Sequence, residues 1–264
     1  MNPSSTLSVR SIGWLLAVLV LYGIGLTLIE LPLDLEHFRA VFSERGPFER
    51  LSPPFWLLLA LTMFLAAWRL PRSSALKMAT VAFVPVLFAM READWHYKLA
   101  GENVLKLKFY AHGVAPQHVK IVAGIVVVLG LAVLLRSLYL GYRHLRTPGA
   151  FSQTWTWSLL IGVATLIGTK VLDRSINLVS EWFGIVWSES TGHLIGAYEE
   201  GFECALPLIF MVALVQYLLM QQRLNVARVQ PGMSFAGQAE SRFFASRNST
   251  PKLRVAVASE RRQR

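Results

Sequence analysis

From His118 to Leu138 the chain reads HVKIVAGIVVVLGLAVLLRSL, and nothing between Ile121 and Leu135 is charged. A hydrocarbon core of about 30 Å takes roughly 20 helical residues at about 1.5 Å each. Backbone polar groups in lipid must find partners within their own segment, so such a run crosses as a helix. Lys120 and Arg136 frame the apolar stretch and mark where it meets the headgroups.

Working outward, five further runs have the same character: Ile12–Leu31, Pro54–Leu70, Ala75–Met90 (extendable to Trp95), Thr154–Leu172 and Gly201–Met220. Composition agrees, with 54% hydrophobic and 16% charged residues, against about 25% charged in soluble domains. The expected fold is all-α: a polytopic membrane bundle of six transmembrane helices over residues 1–220. Ile12–Leu31 is read as a retained helix rather than a signal peptide. Its basic flank is Arg10 alone, and no small-residue cleavage site follows Gly25. Pro85 falls inside the third run, where a kink is expected.

Lysine and arginine favour the cytoplasmic side. An N-terminus inside puts 16 of the 26 Lys and Arg on the inner side and 10 on the outer, nine of the former in the stretch after Met220. The two short inner loops are basic and free of acid, while 14 of the 16 Asp and Glu fall at the outer side. Both termini are therefore expected in the cytoplasm, and the localisation is the inner membrane of a bacterium. Residues 221–264 are read as a basic tail, disordered for want of large apolar residues and held near anionic lipid headgroups. Its charge is scattered and no recognition fold accompanies it, which argues against nucleic acid as partner.

The outer loops hold most of the polar chemistry. In Arg91-Glu92-Ala93-Asp94-Trp95-His96, Glu92 and His96 stand i,i+4 and would share one face of a continued third helix. The sixth run is entered through Glu199-Glu200-Gly201-Phe202-Glu203, three carboxylates at helical spacings of three and four. Glu92 and Glu203 lie within the span that a 20-residue helix needs, and carboxylates there cost about 2.5 kcal/mol or more each. Lys170 and Asp173, spaced i,i+3 at the outer end of the fifth helix, could pair. Glu30 and Glu49 close the first helix and precede the second on the same side. Close carboxylates with one imidazole suit a divalent cation, and equally a cluster that shares protons. The candidate metal ligands are thus Glu92, His96, Glu199, Glu200 and Glu203, supported by Asp94, Glu49, Glu30, Lys170 and Asp173. Lys106 and Lys108 offer a cationic rim for lipid or anion. The segment Ile176–Trp187 is expected to lie along the interface, with Trp182 and Trp187 at headgroup level.

Several chemistries are not supported. The lone cysteine, Cys204, allows no internal disulfide. His-Glu-x-x-His, a P-loop, Gly-x-Ser-x-Gly and Cys-x-x-Cys are all missing. No run carries acids and bases through its full length, as a pump or channel would need.

Gly46-Pro47-Phe48-Glu49, the Arg91–His96 stretch, Leu105-Lys106-Leu107-Lys108-Phe109-Tyr110, Asp173-Arg174 and Glu199–Glu203 together resemble a group of bacterial, proteobacterial-type polytopic inner-membrane proteins. The resemblance covers about Pro32–Met220 and carries no assigned activity, so it transfers no residue roles. A looser likeness runs to membrane hydrolases of the ceramidase type, although the paired histidines of their last helix are missing here. Three functions follow as expectations. One is an outward-facing Glu/Asp/His pocket for a cation or a polar lipid-linked group. The second is a metal-dependent hydrolase acting on a lipid. The third is an assembly partner for another membrane protein.

Overall fold

The computed structural model describes residues 3–42, 46–98, 100–185 and 187–229, and among these there is no strand. The long helices are α1 (Pro3–Glu30), α3 (Pro47–Trp68), α4 (Arg72–Glu92), α7 (Gln117–Leu145), α8 (Thr154–Phe183) and α9 (Glu189–Val229). Short helices α2 (Leu35–Phe42), α5 (Trp95–Lys98) and α6 (Leu107–His112) sit between them. Six stretches among the described residues are long and apolar enough to cross a membrane. They correspond to the six apolar runs of the sequence.

The exposed surface supports that reading. No residue of α7 is buried, although Val128, Leu131 and Leu135 are each more than half exposed. A helix of about 44 Å with so apolar an outer face suits hydrocarbon better than water.

Several boundaries differ from those the apolar runs suggest. α3 begins at Pro47, seven residues before the run, because Gly46-Pro47 starts a helix well and Glu49 favours its first turn. Pro53 and Pro54 then lie inside the helix, in its second turn, where each removes one backbone donor from the ladder. The segment expected to lie along the interface is largely a straight continuation of α8, which runs 30 residues and stops at Gly184 with φ +65°. Gly184 is suited to that left-handed stop because it has no Cβ. α9 runs through residue 220, the expected start of the tail, as far as Val229. Residues 230–264, most of that tail, lie outside the described residues. The chain divides after Leu218, and beyond it residues 219–229 are helical.

Up to Leu218 two clusters hold the helices together. In the first, Trp56, Leu59 and Met63 of α3 meet Ala82 and Ala89 of α4 and Leu206 and Leu214 of α9. Trp56 stacks on Phe88 with ring centroids 4.7 Å apart and also touches the Phe210 ring. Phe210 closes onto Gly162 of α8, where an added Cβ would stand 2.7 Å from the ring. Small residues thus let the backbones approach, the usual device where lipid removes the hydrophobic drive between helices.

The second cluster joins α1, α2 and the first half of α9 through Leu26, Phe42 and Ala197. Leu26 presses against Gly201, where a Cβ would fall 2.5 Å from its methyl. Tyr22 donates a 2.8 Å hydrogen bond to the Gly201 carbonyl, and the Thr27 and Tyr198 hydroxyls share one of 2.6 Å. Helix α2 is capped by Asp34, whose carboxylate accepts from the His37 backbone N–H at 2.9 Å.

Candidate functional site

The site lies where α4 ends and where α8 and α9 present charged residues. Lys170 of α8 forms an ion pair with Glu203 of α9. Glu203 is 14% exposed and Lys170 36%, so the acid is held inside while the lysine reaches it from a more open position. Glu92 is the last residue of α4, and Arg91 Nη1 stands 3.9 Å from its Oε1. Trp56, Phe88, Leu166 and Leu206 supply the apolar floor between these charges.

Together these side chains line an internal space of about 10 Å³, which is the volume of roughly one water molecule. Four more carboxylates surround it. Glu49 and Glu203 act on Glu92; Asp173 and Glu203 act on Glu199; Glu199, Glu203, Glu49 and Glu92 act on Glu200. The set therefore draws on α3, α4, α8 and α9. Answering it are Lys170, Arg91 and Arg174, the last 3.8 Å from Asp173.

Four of the five expected ligands are described: Glu203 and Glu200 are each within electrostatic reach of Glu92 and Glu199 and of each other. The side chain of His96 lies outside the described residues. Glu92 and His96 do not stand on one continuous helix, because α4 stops at Glu92 and Asp94 takes φ +52° before α5 begins. The reason is local: Asp94 tolerates the left-handed region, and its carbonyl then receives the N–H groups of Tyr97 and Lys98. Among the described residues, no three of His, Cys, Asp and Glu are gathered so as to hold a metal ion. Glu203 already has a lysine as its partner.

The supporting residues separate. Glu49, Lys170 and Asp173 belong to the site, but Lys170 pairs across helices with Glu203 rather than along α8 with Asp173. Glu30 is buried at the end of α1 and is not among the residues lining the internal space. Asp94 lies in the turn after α4 and does not line it either. Lys106 and Lys108 are exposed at the start of α6, whose Phe109 is fully buried. The loop around them is fixed by Glu102, which accepts from the Val114 N–H at 2.8 Å, and by the Tyr110 hydroxyl, which donates to the Val104 carbonyl.

No family model, curated protein or solved structure matches the chain.

Sequence reasoning missed two contributors. Arg91 lines the site, and its position beside Glu92 at the end of an apolar run was the available signal. The stacked Trp56–Phe88 floor had none, since the two rings stand 32 positions apart in the chain.

Proposed function

We propose that this protein is a six-span bacterial inner-membrane protein with both termini in the cytoplasm. The carboxylates Glu92, Glu199, Glu200 and Glu203 at its periplasmic rim bind a cationic group, free or carried on a lipid. One observation carries the reading: among the described residues, five carboxylates (Glu92, Asp173, Glu199, Glu200 and Glu203) share one region with three cations (Arg91, Lys170 and Arg174). Acids at the edge of the slab are costly unless paired, hydrated or bound to something. The excess of negative charge favours a cation. An ammonium donates its N–H groups singly to separate carboxylates and needs no common centre of coordination, which suits acids spread over several helices. The basic inner loops support the orientation.

Ethanolamine is the probe. It is expected to raise the melting temperature of the purified, detergent-solubilised protein, and Glu92→Gln is expected to shift the concentration needed for that rise about tenfold upward. A divalent metal that co-purifies in stoichiometric amount and is lost on Glu203→Ala would overturn the ammonium reading. For orientation, Ser190→Cys is expected to react with an impermeant thiol reagent added from the periplasmic side, and Arg143→Cys to be protected. The reverse pattern inverts the topology.

A further inference from the structure

Residues 93–116 join α4 to α7 and lie outside both apolar spans. Even so, Leu107 is 86% exposed and Val114 95%, and Leu105, Trp95 and Tyr97 are each more than half exposed. So many open apolar side chains on one connection call for a cover. Helix α6 sorts them. At about 100° per residue, Leu107, Lys108, Ala111 and His112 fall on one arc, and all four are exposed. Phe109, on the opposite side, is buried. Lys106 stands in extended backbone just before the helix, between the exposed Leu105 and Leu107. Leucines and lysines therefore alternate along the open edge.

Tyr110 fixes the depth of this edge. Its ring packs on Gly124 of α7, where an added Cβ would stand 3.6 Å away. Gly124 is about 10 Å of helix past the start of α7 and four positions beyond Lys120, inside the apolar stretch. The Tyr110 hydroxyl donates back to the Val104 carbonyl at 2.9 Å, and the Phe109 ring meets the Tyr110 ring edge to face. α6 is thus pinned at the level where α7 passes from charged to apolar sequence. Trp95 and Tyr97, at the other end of the connection, are of the types that favour headgroup level.

Charge then selects the lipid. Glu102 is the only carboxylate between Trp95 and Lys120. It is engaged within the loop, accepting from the Val114 N–H at 2.8 Å. Lysines at such a depth lay their stems along apolar surface and raise their ammonium groups to the phosphates. Two of them with no acid between attract a headgroup of net negative charge. A zwitterionic headgroup brings its own ammonium and offsets that gain. We infer that residues 105–114 form an interfacial foot that seats an anionic phospholipid of the surrounding leaflet. Leu105 and Leu107 meet its acyl chains, and Lys106 and Lys108 hold its phosphate. The foot shares no residue with the cation-binding carboxylates and takes a ligand of opposite charge, so it does not rest on that reading.

The test is local quenching in the full-length protein, reconstituted in nanodiscs. Bimane is attached at Leu107→Cys, with the buried Cys204 replaced by Ala. Phosphatidylglycerol and phosphatidylcholine, each carrying a nitroxide on the acyl chain, are supplied separately at equal mole fraction. The labelled phosphatidylglycerol is expected to quench at least threefold more strongly than the labelled phosphatidylcholine. Lys106→Gln/Lys108→Gln is expected to erase the difference. Both lysines are exposed, and matching helix content and elution volume show that the variant folds. A label at Leu105→Cys should give the same pattern, which excludes an effect of the dye at one position. Equal quenching by the two lipids overturns the inference, as does a difference that survives in the folded double variant. Quenching by a water-soluble nitroxide alone places the foot in water, or under a soluble partner, and overturns it as well.

Discussion

Helices α8 and α9 meet twice through polar side chains, and the two meetings are built on opposite plans. Near the start of α8, Thr156 and Ser158 are completely buried. Ser158 donates to Gln216 Oε1 at 2.8 Å, and Thr156 bonds the His144 ring of α7 at 2.9 Å. Trp155 covers that ring and leans in turn on Tyr217. Everything there is satisfied by neutral groups. Some 12–14 positions further along α8, the same pair of helices is joined by Lys170 and Glu203, with four additional carboxylates around them. A closed neutral network in lipid fixes helix register and leaves nothing to bind. A charged junction with unequal numbers of acids and bases remains responsive to what approaches it.

Removing one partner of the charged junction should have the largest effect. Breaking a buried pair costs about 3–5 kcal/mol. Lys170 is a third exposed, so Lys170→Met is expected to lose about 2 kcal/mol, read as a lower melting temperature in detergent. The double variant Lys170→Met/Glu203→Met should recover most of the loss, because no lone charge is left behind. A double variant no better than the single would show that the pair acts through packing instead.

Next in size is a change of affinity. Glu92→Gln is expected to weaken ethanolamine binding about tenfold, or about 1.4 kcal/mol, with little change in stability. Ser158→Ala should do the opposite. Leaving Gln216 without its donor costs about 1 kcal/mol of stability, and ethanolamine binding should be unchanged. If Ser158→Ala altered binding, the two junctions could not be treated as separate parts.

The smallest effect is expected outside both. The backbone N–H and ring of His37 hold the Asp34 carboxyl below its ordinary range. A lowered folded-state value means that this cap contributes above the unfolded carboxyl pKa of about 3.9 and is lost as pH falls through the lower folded value. Asp34 is fully exposed, so amide chemical shifts in α2 are the measure, and neither junction should respond.

How much of this was legible can be judged from particular residues. The runs through Ile121–Leu135 and its five counterparts announced the long helices, since hydrophobic length is a property of the chain alone. So did the outward crowding of acids at Glu92 and Glu199–Glu203. Helical spacing then reached its limit: Asp94 leaves helical geometry between Glu92 and His96, and Lys170 pairs across to Glu203 of the neighbouring helix. Lysine has a long, flexible side chain, and the more buried Glu203 of the neighbouring helix gains more from its charge. Contacts between helices depend on which faces meet, and one helix's periodicity does not contain that. The extension of α3 back to Pro47 was signalled by Gly46-Pro47-Phe48-Glu49, but hydropathy alone placed it in a loop.

Glu203 belongs to the last of the described helices, and this has a consequence for biogenesis. During synthesis α3, α4 and α8 precede it, so Lys170 enters the bilayer before its counter-ion has been inserted. Until α9 inserts, the aromatic floor lacks Leu206, and Gly201 is not yet present to receive Leu26. The half-made protein therefore carries an unneutralised lysine and two unfilled seams, features that membrane quality control can read. Variants that delay α9 should be degraded early rather than accumulate as five-helix material.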